Sequence, residues 1–131
     1  MNLSKFAILK ITLLLFILSF NVNTNLSKVN KIEIKFYKGK KPLTYPITDN
    51  NIVNAFKEMI VKSKNNPELI CDSTGEIIYL NNNKTLLKVY FSTRATNSKY
   101  RSSYITYNNI SSLMTYRAGM DLDEIFYKLN K

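Results

Sequence analysis

Residues 75–93, GEIIYLNNNKTLLKVYFST, decide how the rest of the chain is read. Ile77 and Tyr79 alternate with Glu76, Ile78 and Leu80. Leu87, Val89 and Phe91 alternate with Leu86, Lys88, Tyr90 and Ser92. A repeat of two puts successive side chains on opposite faces of an extended chain, so both runs predict strands. Asn81-Asn82-Asn83 separates them, and Asn tolerates the positive φ that a tight turn requires. The stretch therefore predicts a hairpin at the centre of a sheet, with Leu87, Val89 and Phe91 beneath helices. Ile78, Leu80, Leu86 and Tyr90 fall on the other face, where they are expected to be exposed or covered by a partner.

The flanks supply the other layers. In KIEIKFY, residues 31–37, Ile32, Ile34 and Phe36 alternate with Lys31, Glu33, Lys35 and Tyr37, a half-buried strand. Lys38-Gly39-Lys40-Lys41 reads as a turn, and Leu43 to Ile47 as a short returning strand. Pro42 and Pro46 lack an N–H for a ladder, which assigns that strand to a sheet edge. Thr48 or Asp49 can cap a helix from Asn50 to Ser63, with Ile52, Val53, Phe56, Met59 and Ile60 on one stripe and Pro67 blocking continuation. After the hairpin, RATNSKYR at 94–101 reads as a basic loop. Strands follow at 102–107 and 110–116, joined at Asn108-Asn109; the second run can instead begin the helix that comes next. Arg117-Ala118-Gly119 is expected to break the pattern. Asp121, with Glu124 three residues on, is then expected to cap a last helix with the stripe Leu122, Ile125, Phe126 and Leu129. The expected fold is α+β: an antiparallel sheet of about five to six strands with two helices packed on one face, in the order β-β-α-β-β-β-β-α.

The first 25 residues are set apart from that domain, which spans 26–131. Lys5 and Lys10 precede an apolar run, ITLLLFILSF, and a polar exit at Asn21 to Asn25. That is the plan of a secretory signal peptide, too short to span a bilayer, with Val22-x-Thr24 a weak cleavage site. Export to a periplasm or the exterior is the reading; an uncleaved anchor is the alternative, and any membrane contact is confined to this segment. Cys71 is the single cysteine, so no intramolecular disulfide can form, and its reading is a part-buried small residue. The net charge is +10, and +8 without Lys5 and Lys10. A basic chain attracts polyanions and acidic partners generically. The Asn-, Lys-, Ile- and Tyr-rich composition of an AT-rich genome gives the same surplus.

The chemistry search mostly excludes. There is no histidine, which removes the usual neutral-pH base and transition-metal ligand. One cysteine cannot build a thiolate zinc site. No phosphate-binding glycine loop occurs among three glycines. Asp121, Asp123 and Glu124 form the one acidic cluster, read as helix-capping, with Arg117 placed to pair with Asp121 or Asp123. No catalytic residue, metal or cofactor is assigned. The binding candidates are Arg94, Lys99, Tyr100, Arg101, Tyr104 and Tyr90, where base and aromatic residues interleave. Tyr and Arg are favoured at protein interfaces, so a protein or cell-envelope partner is expected. The reading is a small exported, non-catalytic binding module of open oligomeric state. A histidine- and metal-independent enzyme acting on an envelope polymer is one alternative. A secreted nucleic-acid binder, using phosphate contacts and stacking, is the other and is disfavoured.

Overall fold

The alternation read from residues 31–37 and 75–92 sorts side chains onto two faces of one antiparallel sheet. The computed structural model describes residues 25–38, 43–62, 64–65, 72–97, 99, 102–107 and 110–131. In chain order these form β1 (Lys31–Phe36), β2 (Leu43–Ile47), α1 (Asn50–Lys62), β3 (Lys64–Asn65), β4 (Gly75–Asn81), β5 (Lys84–Ser92), β6 (Tyr104–Tyr107), β7 (Ile110–Leu113) and α2 (Tyr116–Leu129). The result is an α+β fold with six substantial strands and two substantial helices in the expected order. The spatial order is β2-β1-β4-β5-β6-β7-β3, with every pairing antiparallel. The two-residue β3, which sequence periodicity does not flag, adds to the outer edge of β7. β2 pairs only with β1, as its proline requires.

Cross-strand register places Ile32, Ile34 and Phe36 beside Tyr79, Ile77 and Gly75, and those beside Leu87, Val89 and Phe91. Val53, Phe56 and Met59 of α1 and Ala118, Leu122 and Ile125 of α2 join the same buried cluster. The Tyr79 hydroxyl donates to the Phe56 carbonyl at 2.9 Å, and the Phe36 and Phe126 rings lie 5.3 Å apart, so both helices meet this face. Burying a side chain the size of Phe56 or Ile77 contributes about 1.5–3 kcal/mol each.

Gly75 lies at a crowded point. A Cβ there would stand 2.3 Å from Phe91 Cζ and 2.5 Å from the Lys35 carbonyl oxygen. The missing side chain is the slot into which the Phe91 ring folds, edge-on to Phe36 at 5.4 Å and 82°. The hairpin turns at Asn82, the one non-glycine described residue with positive φ, at 54°. Asn30, just before β1, grips this turn. Its side-chain amide donates to Asn82 Oδ1 at 3.0 Å, and its own Oδ1 accepts the Asn82 N–H at 2.8 Å. Leu26 and Val29 are buried, and Lys57 of α1 donates to the Val29 carbonyl at 3.3 Å.

Three expectations are corrected. The register slips between Tyr79 and Leu80, leaving Leu86 as an extra residue on β5. A β-bulge of this kind turns two neighbouring side chains the same way, so Leu86 packs against the core beside Leu87. Leu80 is buried too, Ile78 is half-buried and Tyr90 is exposed, so the second face is mixed rather than uniformly open. Asp121 does not cap the last helix, which starts a turn earlier. Thr115 takes the extended N-cap conformation and accepts the Gly119 N–H at 3.1 Å. Ala118 and Gly119 are buried in that first turn, and a Cβ at Gly119 would stand 3.0 Å from Ser103 Oγ. Close packing outweighs the roughly 1 kcal/mol that glycine costs within a helix.

At α1, Asp49 caps as expected, accepting the Asn51 and Ile52 N–H groups at 2.9 and 3.2 Å. The apolar N-terminal run, Cys71, Gly39, Pro42, Pro67 and the Asn108-Asn109 turn lie outside the described residues. Among the described residues no helix is long and apolar enough to cross a membrane.

Candidate functional site

Among the described residues, polar groups converge in three places. The first is the sheet face opposite the helices. Glu76 is almost buried there, and its carboxylate accepts the Tyr37 hydroxyl at 3.0 Å. Lys88 and Lys35 stand 3.6 and 3.9 Å from it. Burial, reinforced by the Glu76 carboxylate, pushes the Tyr37 phenol up to about 12. Lys31 pairs with Glu33 at 2.7 Å on the same strand. Carboxylates therefore interleave the lysines, and among the described residues no continuous basic stripe forms. Tyr90 and Tyr104 lie on this face by register.

The second place is a cleft of about 360 Å³ where β5, β6 and β7 end against the first turns of α2. The sequence builds it in three steps. After β5, Thr93 and Thr96 tie a buried knot: the Thr93 N–H donates to Thr96 Oγ1 at 3.0 Å, and Thr96 Oγ1 donates to the Thr93 carbonyl at 3.1 Å. This fixes a turn that projects Arg94 outward. The Ala95 N–H donates to Asp123 Oδ1 at 3.2 Å, tying the turn to α2. After β7, the Met114 N–H donates to the Ser103 carbonyl at 2.9 Å, which folds the chain back along the segment before β6.

Arg94, Leu113, Met114, Tyr116, Met120 and Asp123 accordingly line one cleft, with Gly119 admitting the close approach of Ser103. Leu113, Tyr116 and Met120 are exposed at 41%, 80% and 53%, an unusual concentration of large apolar side chains around one concavity. Methionine adapts to varied apolar shapes. Arg94 has no ionic partner among the described residues.

A polar groove of about 420 Å³ adjoins it across Thr115, lined by Asn51, Asn54, Glu58, Lys62 and Arg117. Its charges are engaged: Glu58 with Lys62 at 3.3 Å, and Arg117 with Asp121 at 4.0 Å, one of the two pairings expected from the sequence. Burial pushes the Asp121 carboxyl up, against the opposing pull of Arg117.

Of the six residues singled out from sequence, the four described ones fall in different places. Arg94 lines the cleft, while Tyr90 and Tyr104 belong to the open face. Lys99 is exposed, with its N–H held by Asn97 Oδ1 at 3.2 Å. Tyr100 and Arg101 lie outside the described residues. Sequence reasoning missed the cleft's apolar residues because it placed a break at 117–119, which hides the i, i+4 relation of Tyr116 and Met120. Among the described residues no group of three or more His, Cys, Asp or Glu could hold a metal ion. No protein-family model, curated protein or solved structure matches the chain.

Proposed function

We propose that the protein is a non-catalytic binding module that seats part of a partner protein in the cleft at Leu113, Met114 and Met120. The observation that carries this is the convergence of exposed Leu113, Tyr116 and Met120 around one small concavity with Arg94, which has no ionic partner among the described residues. Apolar surface beside an arginine is the composition of interface hot spots. Among the described residues, the titratable cluster at Glu76 lies on a sheet face and lines neither the cleft nor the polar groove, which weighs against the enzyme alternative. The interleaved lysines and carboxylates of that face weigh against a nucleic-acid track. The export reading of residues 1–25 belongs to the same proposal and puts the partner in the cell envelope or outside the cell.

The test is affinity capture from native cell envelope with the wild-type protein and with Met120→Glu. Met120 is more than half exposed, so the variant is expected to keep the wild-type melting temperature. A specific partner is retained by the wild type and lost with the variant. Unchanged capture by a folded Met120→Glu protein overturns the assignment.

A further inference from the structure

We infer that the cleft captures the free C-terminus of a partner polypeptide whose last residue is large and apolar. Arg94 takes the α-carboxylate, Asp123 accepts the last residue's N–H, and Leu113, Met114 and Met120 hold its side chain. The inference rests on the reading of the cleft as the binding site and specifies its ligand.

The charges point this way. Arg94 and Asp123 line the same cleft, yet they form no ion pair with each other. Asp123 spends one oxygen on the Ala95 N–H at 3.2 Å, and an ionised carboxylate has acceptor capacity beyond one such bond. Arg94 is exposed, and a guanidinium is weakly hydrated and matches a carboxylate through two parallel N–H donors. A cation and an anion held apart in one cleft disfavour a uniformly acidic or uniformly basic ligand. They suit a group that carries an acceptor anion and a hydrogen-bond donor a few bonds apart. The last residue of a polypeptide carries both, and its side chain leaves from the atom between them.

Size points the same way. About 360 Å³ lies at the low end of ligand pockets, which span roughly 300–1,000 Å³. That suits an anchoring residue and its neighbour and is too small to enclose a docked helix. An internal acidic residue would need a second residue to supply the apolar group. A fatty acid would supply chain and carboxylate but bring no donor for the acceptor capacity that Asp123 has beyond its bond to the Ala95 N–H, and covering that capacity without a new hydrogen bond is costly. Capture of a terminal carboxylate is an established mode of peptide recognition; here a side chain provides the cation.

The experiment is fluorescence anisotropy with fluorescein-labelled hexapeptides ending in Leu or Phe. Each is made as the free acid and as the C-terminal amide, with a Gly-ended acid and decanoate as controls. At least one apolar-ended acid is expected to bind. Its amide should bind roughly tenfold or more weakly, the scale of one charge-assisted hydrogen bond, and the Gly-ended acid more weakly by a similar factor, the scale of one buried apolar side chain. Arg94→Gln should abolish the difference between acid and amide, and decanoate should not displace the peptide. Equal binding of acid and amide overturns the inference, as do displacement by decanoate and failure of both acids to bind. If envelope capture remains sensitive to Met120→Glu while the peptide test fails, the cleft stands as the docking site and only its ligand class falls.

Discussion

Replacing Gly75 by Ala tests the central packing argument. Gly75 has no positive φ, so Ala faces no backbone penalty and the effect is steric. The new methyl would lie 2.3 Å from Phe91 Cζ and 2.5 Å from the Lys35 carbonyl oxygen, well inside the roughly 3.5–4.0 Å at which carbon atoms pack best. The ring could swing away, but the carbonyl belongs to β1 and is held by the sheet. Relief therefore requires moving Phe91 and loosening the pairing of β1 with β4. Overpacking a core costs about 1–3 kcal/mol, and losing one aromatic pair a further 0.5–1.5 kcal/mol or so. Expelling the ring completely sets a ceiling near the 3–5 kcal/mol of a Phe→Ala change, roughly.

A loss of about 3 kcal/mol is expected, against a total stability on the order of 5–15 kcal/mol. In urea unfolding followed by far-ultraviolet circular dichroism, this lowers the midpoint by roughly 1–3 M. Phe91→Leu in the Gly75→Ala background should recover part of the loss, because the smaller side chain vacates the slot. The two changes should then be non-additive by about 1 kcal/mol. A Gly75→Ala protein within about 0.5 kcal/mol of wild type, the range of neutral surface changes, would refute the reasoning.

Two further outcomes follow from the same geometry. Tyr79→Phe removes the buried hydroxyl that donates to the Phe56 carbonyl at 2.9 Å and should cost about 1 kcal/mol in urea unfolding; no change would mean that bond contributes nothing. The Tyr37 phenol is held neutral up to about pH 12 against an ordinary 10.0. The folded state thus keeps a proton that the unfolded state loses, so its stability contribution is complete below pH 10 and declines as pH rises through 12. Glu76→Gln should bring the phenol's ultraviolet titration back toward 10.0 and flatten that decline. An unshifted titration would remove Glu76 as a cause.

Most of the fold was legible because one face of nearly every strand is buried. The alternation of Ile32, Ile34 and Phe36, and of Val89 and Phe91, survives in the observed burial since a register slip would turn each set to water. Pro46 announced an edge and Asp49 announced a helix start. What escaped was decided by tertiary contact. The bulge at Leu86 preserves the apolar count and changes only the facing. Ala118 and Gly119 look like a break until Ser103 is known to press against them. The two-residue β3 is too short to show a period. The candidate site was legible only in Arg94. Its remaining walls come from β7 and α2, distant in sequence from Arg94 and tied to its turn by the Ala95–Asp123 bond, and the hydroxyls of Thr93 and Thr96 that fix the turn carry no periodic signature.

The grip of Asn30 on the hairpin turn sets how far the chain can be trimmed. A protein beginning at Lys31 would keep every strand and both helices. It would lose both amide bonds to Asn82 and uncover the core where Leu26 and Val29, at 4% and 5% exposure, now close it. At roughly 1.5–3 kcal/mol for each such side chain, that deletion takes a large share of a small domain's stability. The six residues from Asn25 to Asn30 thus behave as a seal rather than a leader to the first strand, and the shortest chain that keeps the hairpin anchored and the core dry begins no later than Leu26.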